Sequence, residues 1–149
     1  MTRARLAEKR DLLAAVLETL VPPSEDFPES GALALAHVLA IADASAEAGA
    51  MLTRAIEAIE AAQAGQAGPF PTLSITEREE LLRRVERSSP EAFDALVRHT
   101  YDGFYSHPAT ITRLGLEPGP VQPRGHRIES GVLPDLGRVK ARGPIFRRA

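Results

Sequence analysis

Leu6, Leu12, Leu13, Val16, Leu17 and Leu20 fall at helical spacing, so a single stripe of a helix carries them all. Pro22–Pro23 closes the run, because proline lacks the amide donor and restricts the residue before it. The spacing predicts a first helix over about 3–21. After the polar turn SEDFPESG comes an alanine-rich stretch from Ala32 to Ala64, broken near 44–48 by the Asp43–Ser45 step and Gly49. Helices over 31–43 and 46–64 follow. The second carries Leu52, Ala55, Ile56, Ile59 and Ala62 as its apolar stripe.

GQAGPFPT, with two glycines and two prolines in eight residues, reads as a loop. Thr76 with Glu79 fits a capping box opening a helix over 77–87, turned inward through Leu81, Leu82 and Val85. Ser89-Pro90-Glu91 combines a capping serine, a proline at the first helical position and an acid in the first turn. The helix it opens should reach Ser106 and bury Phe93, Leu96, Val97, Tyr101, Phe104 and Tyr105. Pro108 then starts a short helix that Gly115 closes.

From Leu116 the character changes. Five prolines and five glycines in the last 34 residues forbid long regular structure. Yet Val121, Ile128, Val132, Leu133, Leu136, Val139, Ile145 and Phe146 are too many apolar side chains for a disordered linker. The expected organisation is a helical domain over 1–115 and a wrapping arm over 116–149, with one or two helical turns at 134–141. A chain of 149 residues can hide about 70% of its extended surface, enough for one core. With 5 Phe, 2 Tyr and no Trp against abundant Ala and Leu, that core should be closely spaced helices. The fold class is therefore all-α, with five to six helices in the compact domain.

Without cysteine the chain has no disulfide, thiolate metal ligation, iron–sulfur attachment or covalent haem. Any redox chemistry belongs to a partner. The opening residues carry Glu8, Asp11 and Glu18 among the apolar ones and never run apolar for the length of a signal peptide or membrane span. A cytoplasmic location is expected from the sequence as given. Net charge is −2, divided unevenly: 10 basic and 17 acidic residues over 1–112 against 8 basic and 3 acidic over 113–149. The two parts should attract one another or an acidic partner. Eight basic residues among prolines and glycines are sparse for a nucleic-acid arm.

His37, His99, His107 and His126 form no pair at three or four residues and no HExxH, so zinc has no local signature. A hydrogen-bonding, structural role is favoured for each. The chain lacks a GxSxG elbow and the GxGxxG and GxxxxGK[ST] loops. Glu57–Glu60 and Glu79–Glu80 read as solvated helix faces. No catalytic residue is assigned, and the isolated chain should bind neither metal nor flavin tightly. In Thr100–Pro108, Gly103 stands mid-helix at a cost of about 1 kcal/mol against alanine, which points to close approach of another element. His107, at the helix exit, is placed to donate to unpaired carbonyls.

Val21-Pro-Pro-Ser24 with Asp26-Phe-Pro28, Thr100-Tyr-x-Gly-x-Tyr-Ser-His-Pro108, Leu114-Gly115, Gln122-Pro-x-Gly-His126 and Arg142-Gly-Pro144 occur in that order. In this the chain resembles the gluconate 2-dehydrogenase subunit 3 family, the small subunits of bacterial flavin-dependent sugar and polyol dehydrogenases. The resemblance implies a non-catalytic subunit. In that family FAD sits in a large subunit of the glucose–methanol–choline class, a cytochrome c often takes the electrons, and the small subunit supports folding, stability and export of the large one. Arg3-Ala-Arg5 without a following apolar run is not the twin-arginine signal with which such subunits often begin, so the resemblance leaves a cytoplasmic complex expected, and a periplasmic one if such a signal was removed or the partner carries one. Tyr101, Tyr105, His107, Gln122, His126, Arg142 and Phe146 are the interface candidates, since aromatic residues and arginine dominate such contacts. Two rivals stand beside this reading: a small enzyme using His107 or His126, and a regulatory or nucleic-acid-binding module using the basic arm.

Overall fold

The computed structural model describes residues 6–27, 29–66, 68–119 and 136–143. These form seven α-helices and no strand, so the protein is all-α as the sequence predicts. The helices are α1 (Arg10–Leu20), α2 (Ser30–Ala44), α3 (Ala46–Gln63), α4 (Ile75–Ser88), α5 (Pro90–Ser106), α6 (Pro108–Arg113) and α7 (Gly137–Ala141), with a 3₁₀ turn at Phe70–Thr72 before α4. By chain contacts there are two compact units, 1–118 and 119–149. The first holds α1 to α6. The second is described only at 119 and 136–143, where α7 supplies a single short turn of helix inside the 134–141 window.

α2 is the central element, packed on α1, α3 and α5. Its sequence, SGALALAHVLAIADA, carries no Lys, Arg or Glu and no Asp before Asp43, as suits a helix covered on several sides. Gly31 and Gly103 permit the closest approaches. A Cβ on Gly31 would stand 2.5 Å from the Glu18 backbone nitrogen of α1, and one on Gly103 would meet His37 Cβ at 2.8 Å and the Ala34 carbonyl at 3.0 Å on α2. The close approach expected at Gly103 is thus made by α2. Leu13, Val16, Leu17, Val38, Leu52, Ile59, Leu81, Val85 and Leu96 fill the space between.

Several boundaries differ from expectation for local reasons. α1 starts at Arg10 because Lys9, at φ −101° and ψ 24°, separates it from a preceding turn, although Leu6 is still buried. The loop 65–72 hides Phe70 completely, with its amide donating to Gln63 Oε1 at 2.9 Å. The capping box before α4 is Ser74–Glu77 rather than Thr76–Glu79. Ser74 follows the 3₁₀ turn in extended conformation, and its hydroxyl and amide both reach the Glu77 carboxylate. That contact holds the Glu77 carboxyl below its ordinary range, the side-chain hydrogen bond being the larger cause. Leu81, Leu82 and Val85 do point inward.

α6 ends as predicted at Gly115, with φ +77°. The Gly115 amide donates to Thr112 and the Leu116 amide to Ile111, the paired bonds of a Schellman motif. Because Leu116 is still tied to the helix, the first unit runs past 115, to 118.

Candidate functional site

The buried stripe of α5 is Ala92, Leu96, Thr100, Gly103 and Phe104. Thr100 can join it because its hydroxyl donates to the Leu96 carbonyl at 2.6 Å. Phe93 and Val97 lie at the edge of the stripe, half-buried. Tyr101 and Tyr105, one step round the helix, are exposed, a correction to their expected burial. One turn apart, their rings stack with centroids 6.1 Å apart at 18°. Tyr105 meets the edge of Phe104 at 5.0 Å, Phe104 meets Phe27 at 5.3 Å, and the Arg113 guanidinium lies 5.8 Å from the Phe27 ring centre. Leu114 and Leu116 are also exposed nearby in sequence. An aromatic ladder therefore runs from the core to the surface, ending in two large side chains in water.

His107 joins α5 to α6, but not as expected. Its Nδ1 accepts from the Ala109 amide at 3.2 Å, so the ring caps the start of α6 instead of donating to the end of α5. The reason is Pro108: at the first position of α6 it turns the chain, and the free amide there is that of Ala109. Arg142 is exposed in the second unit, whereas Gln122, His126 and Phe146 lie outside the described residues. Of the seven interface candidates, Tyr101, Tyr105 and His107 lie close together at the end of α5, where they are also neighbours in sequence.

Folding also assembles a group that spacing along the chain could not reveal. His37 on α2 and His99 on α5 stand with ring centroids 6.2 Å apart, and Asp102, one turn after His99, places Oδ2 3.7 Å from His99 Nδ1. His37 Nε2 and His99 Nδ1 are buried without a hydrogen-bond partner. Burial pushes the His99 pKa down, with smaller contributions downward from His37 and Arg98, while the Asp102 carboxylate opposes them. The signal that sequence reading lacked is the pairing of α2 with α5, which sets side by side two histidines 62 residues apart.

Among the described residues no helix is long and apolar enough to cross a membrane. The family model for gluconate 2-dehydrogenase subunit 3 matches residues 7–119, the span of helices α1 to α6. The chain belongs to that family. No curated protein and no solved structure matches it. The matched region contains both Gly103 with its α2 contact and the Tyr101–Tyr105 pair, so the features described above lie within the family portion of the chain.

Proposed function

We propose that this protein is the non-catalytic small subunit of an FAD-dependent sugar or polyol dehydrogenase, stabilising the large flavoprotein subunit and assisting its folding. Membership of the subunit 3 family carries the reading. Two physical features support it. The stacked tyrosines expose aromatic surface that a free globule gains nothing by displaying, and aromatic side chains are favoured anchors in interfaces. The arm brings eight sizeable apolar side chains on a backbone too rich in proline and glycine to bury them in long helices.

In this mechanism Tyr101, Tyr105, His107, Gln122, His126, Arg142 and Phe146 contact the large subunit. The flavin stays in that subunit, and electrons leave through it or a cytochrome c acceptor. The small chain acts by covering apolar surface, each side chain contributing about 1.5–3 kcal/mol when fully buried.

Co-expression of the large subunit with full-length chain, with a chain lacking 127–149, and with none tests this. The full-length chain should give soluble, FAD-loaded, active enzyme. The truncated chain should keep its helical circular dichroism but yield a large subunit poor in flavin and turnover. Full activity and flavin content without the small chain would refute the reading.

A further inference from the structure

We propose that His37, His99 and Asp102 form a binding site for a divalent first-row transition-metal ion, of which zinc is the type, fastening α2 to α5. The three side chains can present one ligand atom each, all within 4.8 Å of one another. Two imidazoles and a carboxylate are the donor set that suits such ions, and three protein ligands leave a position for water. Metal–ligand distances of about 2.0–2.2 Å place neighbouring ligand atoms of a tetrahedral site roughly 3.3 Å apart. The His99–Asp102 pair, at 3.7 Å, is close to that already. The other separations, at most 4.8 Å, would shorten as an ion draws the three side chains together, with Asp102, 55% exposed, having more room to move than His99, 16% exposed.

Three observations make this more than a chance meeting of histidines. The ring nitrogens left without partners, His37 Nε2 and His99 Nδ1, come from different helices yet belong to the same cluster, and a buried polar atom with no partner is costly. A cation between them and Asp102 would use both lone pairs at once. The close approach at Gly103 sits beside the same residues: its missing Cβ is what admits His37 Cβ. Finally, Asp102 at the rim gives an ion a path in from solvent, a requirement that a fully enclosed pair would not meet. The role is structural: the ion would bridge two helices of the matched family region.

This proposal departs from the expectation, drawn from spacing along the chain, that the isolated protein binds no metal, because the cluster forms only when α2 meets α5. The site is independent of the subunit assignment, and the test uses the small chain alone. Full-length, tag-free protein is stripped with a chelator and titrated with Co²⁺, whose visible absorption reports nitrogen and oxygen coordination, and then with Zn²⁺ in competition. One equivalent of Co²⁺ should bind, Zn²⁺ should displace it, and the thermal midpoint should rise with Zn²⁺ concentration. His37→Gln and Asp102→Asn should each weaken binding by more than the roughly 10–100-fold that loss of an outer-shell partner costs. Asp102 lies at the surface, so Asp102→Asn serves even if His37→Gln fails to fold, with circular dichroism as the check. His107→Gln should leave binding unchanged. Absence of a Co²⁺ spectrum at saturating metal, full binding in Asp102→Asn, or equal loss in His107→Gln would overturn the proposal.

Discussion

At the scale of single residues, the two glycines against α2 contribute most through what they lack. Alanine is the better helix former by about 1 kcal/mol, so on propensity alone Gly31→Ala and Gly103→Ala should stabilise. Both should instead destabilise, by about 1–3 kcal/mol net, because the added Cβ meets backbone that cannot move aside without separating two helices. Gly31→Ala should be the worse, since all three of its nearest atoms are backbone of Glu18 and Leu17. Denaturant melts of the two variants provide the comparison; a stabilised Gly31→Ala would show the α1–α2 contact to be looser than described. Gly103 could be singled out from sequence by its mid-helix cost. Gly31 could not, because a glycine beside a turn is ordinary and its near-contact with Glu18 depends on how α1 crosses α2.

At the scale of elements, helix ends were more readable than helix faces. The breaks at Ser45 and at Ser89-Pro90, and the stop at Gly115, depend on local backbone chemistry, and they fall where the residues predict, although the Ser89 hydroxyl does not make the expected capping bond. The start of α4 shows the limit of that approach. Ser74-x-x-Glu77 and Thr76-x-x-Glu79 both satisfy the capping pattern, and the choice is made by the 3₁₀ turn and by Arg78, whose guanidinium binds the carbonyls of Pro71 and Leu73. Ser74→Ala should therefore cost about 1 kcal/mol of stability, and Thr76→Ala much less. The Glu77 carboxyl has a lowered pKa when folded, so its contribution is present above its ordinary 4.5 and lost as pH falls through the lowered value. Acid titrations of both variants by circular dichroism should show Ser74→Ala with the shallower acid-side loss. The faces of α5 were harder to read because periodicity marks Tyr101 and Tyr105 as apolar and cannot say that Thr100, with its hydroxyl satisfied by Leu96, takes the inner place.

At the scale of the molecule, charge divides the chain as sharply as structure does. Residues 1–112 carry 10 basic and 17 acidic side chains, and 113–149 carry 8 and 3. If the basic arm meets acidic surface on assembly, salt should slow association of the chain with the proposed large subunit more than it hastens dissociation, because screening acts over the approach and less within a closed contact. Stopped-flow measurements at two ionic strengths decide it; a flat association rate with a salt-sensitive dissociation rate would contradict electrostatic docking. The all-helical architecture was legible from spacing and breakers, whereas the His37–His99–Asp102 cluster was not, since it exists only once α2 lies on α5.

The stacked pair on α5 has a practical consequence. Tyr101 and Tyr105 are the only tyrosines in the chain, and there is no tryptophan. Every tyrosine ring signal of this protein thus originates from one patch of about one helical turn. Isotopic or fluorine labelling of tyrosine in the small chain would give a two-resonance spectrum in which nothing from the core intrudes. The molecule carries its own site-specific reporter, placed by sequence on the exposed face of α5.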